Sequence, residues 1–88
     1  MTNVRVAYRL GLLYKKEGDT DRAGQKLRPL LLQKIDASSG IDKADVYFHL
    51  AEIHVAKGEK PKAKSMIDRG LQANAEHEGL KGLKDQVK

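Results

Sequence analysis

The 88-residue chain has no cysteine, no tryptophan, only two prolines, and only four Phe or Tyr rings. Without cysteine neither a disulfide framework nor a thiolate metal site can support the core, so packing alone must hold it. No apolar run approaches the roughly 20 residues that cross a bilayer. The opening MTNVRVAYRL alternates charged and apolar residues where a signal peptide would carry an unbroken apolar stretch. A soluble, cytoplasmic chain is expected, with no membrane partner. Its length suits one small domain, 1–88, burying about two thirds of its unfolded surface. Acidic charge is in short supply: 17 Lys and Arg stand against 12 Asp and Glu, a net +5. That balance admits nucleic acid or an acidic partner. The basic residues are spread along the whole length with acidic ones among them, which is the pattern of solvated helix faces.

What the chain does contain is one pattern written twice. LGLLYKKEGDTDRAGQKL, Leu10 to Leu27, returns forty residues later as LAEIHVAKGEKPKAKSMI, Leu50 to Ile67, with small and large apolar residues in the same places. Val6, Leu10, Leu13, and Tyr14, like Val46, Leu50, Ile53, and Ala56, recur at three and four residues, the period of an amphipathic helix. Gly18 and Gly58 interrupt each unit where a helix would end on a left-handed residue. Pro61 suits the first turn of a new helix, where its missing N–H has no partner to lose. The spacing and punctuation predict helices over 3–17, 20–36, 43–57, 60–73, and 76–87. Each unit is then a helical hairpin in an all-α chain.

Ala7-x2-Leu10-Gly11-x2-Tyr14 followed by Ala23-x3-Leu27 resembles the tetratricopeptide repeat, and Tyr47-x2-Leu50-Ala51-x2-His54 followed by Ala63-x3-Ile67 resembles it again. The resemblance implies two hairpins, about 4–37 and 44–75, stacked as a short right-handed α-solenoid, with a capping helix at about 76–87. Gly11, Ala23, Ala51, and Ala63 are small where paired helices would approach closely. The departures are Ala7 where the family prefers an aromatic, Ile35 and Ala75 where it closes on proline, and a period of forty where it has 34. The six extra residues fall in IDASSGIDK, with Ser38, Ser39, and Gly40 expected to turn and Asp42 to cap the next helix, with Asp45 in its first turn. Pro29, inside QKLRPLLLQKI, should bend its helix, since it cannot donate to the Gln25 carbonyl. Leu80, Leu83, and Val87 form one apolar stripe on the last segment, where Lys84 replaces the small residue of a close contact, so no companion helix is expected. Gly79 and Gly82 should weaken that segment.

Catalytic and metal chemistry finds little support. His49 and His54 are about 140° apart around a helix and cannot share a metal. His54 occupies a tyrosine position and is expected to pack half-buried. Asp45 and His49, four apart, should form a surface ion pair. With no nucleophile context or phosphate loop, neither an enzyme nor a cofactor is expected.

The family resemblance implies a protein-binding module whose first helices line a concave groove. Carried over, the groove positions are Arg5, Tyr8, Arg9, Leu12, Lys15, and Lys16 in the first repeat, and Asp45, Phe48, His49, Glu52, and Val55 in the second. A basic rim over an apolar floor suits a protein or peptide mixing acidic and apolar residues. One subgroup of the family grips C-terminal carboxylates with a lysine and an asparagine four apart; Tyr8 and Leu12 stand there, so that activity is not implied. RNA or DNA binding is the alternative, weakened by the scarcity of stacking rings. Leu13, Leu31, and Leu32 exceed what one hairpin can cover, which points to a homodimer through the first hairpin or to a neighbouring repeat in a longer array.

Overall fold

The computed structural model of the chain describes residues 4–32 and 40–87. Among them are five helices: α1 Val4–Lys16, α2 Thr20–Leu27, α3 Lys43–Ala56, α4 Lys60–Ala73, and α5 Glu78–Gln86. A short 3-10 segment, Arg28–Leu32, continues from α2. There is no strand among the described residues.

The two glycine interruptions are the same structure made twice. Gly18 (φ +85°) and Gly58 (φ +76°) take the left-handed conformation that a side chain would oppose. In the first, the Gly18 and Asp19 N–H groups donate to Lys15 and Tyr14 at 3.1 and 2.8 Å; in the second, Gly58 and Glu59 donate to Val55 and His54 at 3.0 and 2.8 Å. This paired closure is the Schellman arrangement, and it satisfies carbonyls the helix end leaves open. The restarts differ. Asp19 caps α2 by accepting from the Arg22 N–H at 3.1 Å. Glu59 begins α4 without a side-chain cap, leaving that end to Pro61. Its carboxylate instead lies 3.0 Å from His54 Nδ1 and accepts from Lys62 Nζ at 3.2 Å. Lys57 Nζ donates to Asp21 at 2.5 Å, joining one hairpin turn to the next.

Packing follows the small residues. Gly11, Ala23, Ala51, and Ala63 are all buried, as their spacing predicts. A Cβ on Gly11 would sit 2.6 Å from Leu27 Cγ, so only glycine allows α1 and α2 this approach. Ala7, Ala23, Leu27, and Leu30 from the first hairpin enclose Val46, Leu50, and Ile53 of α3 in one cluster. Ala44, Ala51, Ala63, and Ile67 enclose Leu80, Leu83, and Val87 in the other. Each fully buried Leu, Ile or Val contributes roughly 1.5–3 kcal/mol, and the largest fully buried side chains, Leu27, Leu30, Val46, Leu50, Ile53, Ile67, and Leu80, are shared between the two clusters. Thus α3 does for α1 and α2 what α5 does for α3 and α4.

Pro29 acts more sharply than a bend. The α-helix stops at Leu27, and the backbone tightens to 3-10 where proline has no N–H to continue the ladder. That turn buries Leu30 completely and leaves Leu31 half-buried and Leu32 exposed. The expected helix at 33–36 and the turn at Ser38 and Ser39 lie outside the described residues; Gly40, at φ +74°, is the part of that turn within them. Asp42 caps α3 as expected, accepting from the Ala44 N–H at 3.0 Å.

The last helix starts at Glu78 instead of 76, because Asn74 holds the approach. Its side chain accepts from the Glu76 N–H at 3.1 Å and its carbonyl from the His77 N–H at 3.2 Å, an Asx-type turn that competes with helix. Gly79 is more than a weak point. A Cβ there would lie 2.9 Å from the Phe48 ring, so the glycine lets α5 settle on α3, whereas Gly82 faces open space.

Candidate functional site

Eight residues brought together from α1, α3, and the start of α5 form one continuous, partly exposed face. Helical spacing puts Tyr8, Leu12, and Lys15 on one stripe of α1, and Asp45, Phe48, His49, and Glu52 on one stripe of α3. His77, immediately before α5, completes it.

Rings form the floor. Tyr8 meets His49 edge to face, centroids 5.9 Å apart at 63°, and Phe48 meets His49 at 5.3 Å and 62°. Phe48 and His77 are 5.5 Å apart and tilted by 38°. These are the separations at which ring pairs add to simple burial.

Lys15 holds the centre. Its ammonium pairs with the Glu52 carboxylate, lies 3.0 Å from His49 Nδ1, and stands 5.7 Å from the Phe48 centroid. An ammonium can only donate, so Nδ1 of His49 is the acceptor and the ring proton sits on Nε2. Burial, followed by the Lys15 charge, holds the His49 imidazole below its ordinary pKa and favours this neutral form. Burial and then the Asp45 and Asp42 carboxylates push the Tyr8 phenol up, keeping it neutral as well.

His77 fastens the edge. Its Nδ1 accepts the Leu80 N–H at 3.1 Å as the α5 cap, which leaves Nε2 to donate to Asp45 Oδ1 at 2.5 Å. The Asp45–His49 pair expected from the sequence is therefore not formed: Asp45 is bonded across to His77, and His49 to Lys15. Helical spacing allows neighbours on one helix to pair, but side chains arriving from α1 and α5 compete and win here. His54 is buried, at 7% exposure, against Glu59, where half-buried packing was expected. The hydrogen bond from His54, then that from Lys62, draws the Glu59 carboxyl below its usual range.

The remaining groove positions divide. Arg5 and Arg9 are exposed and, with Tyr8, Gly40, and Ile41, line a hollow of about 230 Å³ beside the ring floor. Lys16 is exposed at the end of α1. Val55 is half-buried against the second core cluster, which Phe48 also packs against. His77 escapes sequence reasoning. Its place three residues before Leu80 fits a cap, but nothing in the order of residues brings Asp45, thirty-two positions earlier, to its other nitrogen.

Among the described residues, no group of three or more His, Cys, Asp, or Glu could hold a metal, and no helix is long and apolar enough to cross a membrane. The ionisable groups of the ring-lined face pair with one another, and its rings keep part of their surface exposed. Comparison with curated proteins and with solved structures found no match. A family model described as Tetratricopeptide repeat matches residues 4–25 and 44–77, so its two segments fall on the two hairpins and cover more than half of the chain. Repeats of this family generally mediate protein–protein interaction and are typically non-catalytic. With the pattern written twice in sequence, built twice in structure, and matched twice by the family model, the chain belongs to the tetratricopeptide repeat family.

Proposed function

We propose that the chain is a non-catalytic interaction module and that the ring-lined face of α1, α3, and the start of α5 receives a segment of a partner protein. The observation that carries this reading is the Tyr8–His49–Phe48–His77 row, whose rings remain partly exposed while Lys15, Glu52, and Asp45 hold them in place. Rings already fixed lose little side-chain freedom on binding, which is the property of good interface anchors. Arg5, Arg9, and Lys16 border this floor with exposed positive charge. A segment carrying apolar residues for the rings and acidic residues for that border fits both features.

The test is capture from an extract of the source cell, with a photo-crosslinker at position 16, on the border of the floor, to locate the bound segment. Tyr8→Ala combined with Leu12→Glu should abolish the crosslink with little change in thermal melting, because both residues are partly exposed. Retention of the same partner by this double variant would overturn the reading. A steep, salt-dependent affinity for an RNA oligonucleotide, lost on Arg9→Glu, would replace it with nucleic-acid binding.

A further inference from the structure

The forty-residue repeat allows each surface of one hairpin to be compared with its counterpart in the other. Val46, Leu50, and Ile53 are 0–1% exposed, closed over by the first hairpin. Their counterparts are Val6, Leu10, and Leu13. Val6 is 53% exposed and Leu13 49%, with Leu10 half-buried between them. The same stripe is thus core on α3 and surface on α1. Beside it lies a cleft of about 330 Å³ bounded by Val6, Leu10, Pro29, and Leu30, with Gln25 and Lys26 at its mouth. This volume is at the lower end of the roughly 300–1,000 Å³ usual for binding pockets, and its apolar walls can take aliphatic side chains from a helix laid along the stripe.

Charge decides what kind of helix. Arg9, Lys16, and Lys26 are exposed along the borders of the stripe, with Glu17 beyond Leu13 offsetting part of their charge. At the covered stripe, the counterpart positions are His49, Ala56, and Met66, and His49 is held neutral by burial and by Lys15. At these positions the covered stripe has one cation, Lys57, the counterpart of Glu17, and it is paired with Asp21, whereas the exposed stripe has three cations and one anion. A second copy joined across a two-fold axis on this stripe would bring Arg9, Lys16, and Lys26 against the same three residues, and like charges across an interface are costly. An acidic border on the incoming helix would meet them with opposite charge.

We propose that the outer face of α1 and α2, the Val6–Leu10–Leu13 stripe with its cleft over Leu30, is a second docking surface, for an amphipathic helix whose apolar stripe is bordered by acidic residues. Its apolar stripe is distinct from the ring floor, since Val6 and Leu13 lie on average about 130° around α1 from Tyr8 and Leu12, with Arg9 and Lys16 between the two and bordering both.

The experiment uses methyl-labelled protein and two synthetic amphipathic peptides of about 18 residues, long enough to form helix. They share an Ala/Leu stripe, bordered by Glu in one and by Lys in the other. The Glu-bordered peptide should shift the Val6, Leu10, and Leu13 methyl signals saturably, at least tenfold more tightly than the Lys-bordered one, and should weaken with added salt. Arg9→Glu with Lys26→Glu, both surface changes, should reverse that preference, and Val6→Glu with Leu13→Glu should abolish binding of the Glu-bordered peptide. Equal binding of both peptides would overturn the proposal, as would shifts confined to the Leu12 methyls and the Tyr8 ring. Concentration-dependent shifts of the Val6 and Leu13 methyls without peptide, accompanied by a doubled mass in sedimentation, would assign the face to a second copy instead. A Tyr8→Ala/Leu12→Glu variant that loses its cellular partner yet still binds the Glu-bordered peptide separates the two surfaces.

Discussion

His77 binds the first turn of α5 with one ring nitrogen and the first turn of α3 with the other, spanning Leu80 N–H at 3.1 Å and Asp45 Oδ1 at 2.5 Å. One imidazole therefore both starts the last helix and fixes where that helix sits. His77→Ala should cost about 1–2 kcal/mol, combining a lost cap with a partly exposed polar pair. Hydrogen exchange should accelerate across 78–86 while α1 and α2 keep their protection. His77→Asn, which can accept the same N–H, should recover most of the cap and little of the Asp45 bond. Denaturant titration with residue-resolved exchange measures both.

Two glycines in helices that share a contact should respond in opposite directions. A Cβ on Gly70 would meet Leu80 Cδ1 at 2.5 Å and Tyr47 Cβ at 2.9 Å, and the second of these cannot swing aside. Gly70→Ala should therefore destabilise by about 1–3 kcal/mol, the usual range for overpacking. Gly82→Ala meets nothing within 4 Å and should stabilise by about 0.5–1 kcal/mol through helix propensity. Thermal melts of the two variants beside the parent provide the comparison.

Acid should weaken the fold through His49 before the carboxylates contribute. Burial and Lys15 keep this imidazole below its ordinary value in the folded chain, although Glu52 and Asp45 pull the other way. The unfolded chain, titrating near 6.5, takes up a proton that the folded chain refuses, so stability falls as pH drops through about 6.5 and stops falling once the folded ring also protonates. His49→Gln should remove this early loss, seen as a shallower decline in melting temperature between about pH 7.5 and 5.5. Asp21, held low by Lys57, and Glu59, held low by His54, have depressed folded values. Their contributions are present above the ordinary carboxylate range and are lost only as pH falls through it, so that later decline should persist in the variant.

Leu50 and Leu13 carry similar chemistry in very different surroundings. Leu50→Ala empties a site that is 1% exposed and should cost about 2–5 kcal/mol. Leu13→Ala, at a site 49% exposed, should cost less than about 1 kcal/mol. Equal costs in denaturant titration would mean that the outer stripe is covered in solution.

Local signals accounted for most of the helices. Gly18 and Gly58 stop α1 and α3 because a left-handed residue closes the helix end wherever it occurs. Asp19 and Asp42 start the helices that follow because the carboxylate reaches its own backbone N–H groups within three residues. The candidate face was legible as far as helical spacing reaches: Tyr8, Leu12, and Lys15 lie on one stripe, and Asp45, Phe48, His49, and Glu52 on another. That Lys15 would be drawn into pairing with Glu52 and His49 was not legible, because the Lys15–Glu52 pair spans 37 positions.

By itself, then, the order of residues determined most helix ends, the end of α2 and the start of α5 excepted, which faces are apolar, and that one hairpin is built twice, since each depends on groups within about one helical turn. Only the tertiary structure decided which apolar stripe is core and which is surface. Val6, Leu10, and Leu13 have the period of Val46, Leu50, and Ile53, yet the second stripe is sealed by Ala23, Leu27, and Leu30 while Val6 and Leu13 stay about half exposed. Periodicity reports that a face excludes water well; burial requires a neighbour on top of it, and that neighbour comes from a distant part of the chain or from another molecule. Pro29 shows the same division, with its missing N–H predicting a bend, and the structure instead ending α2 at Leu27 and closing a 3-10 turn that buries Leu30 in the core.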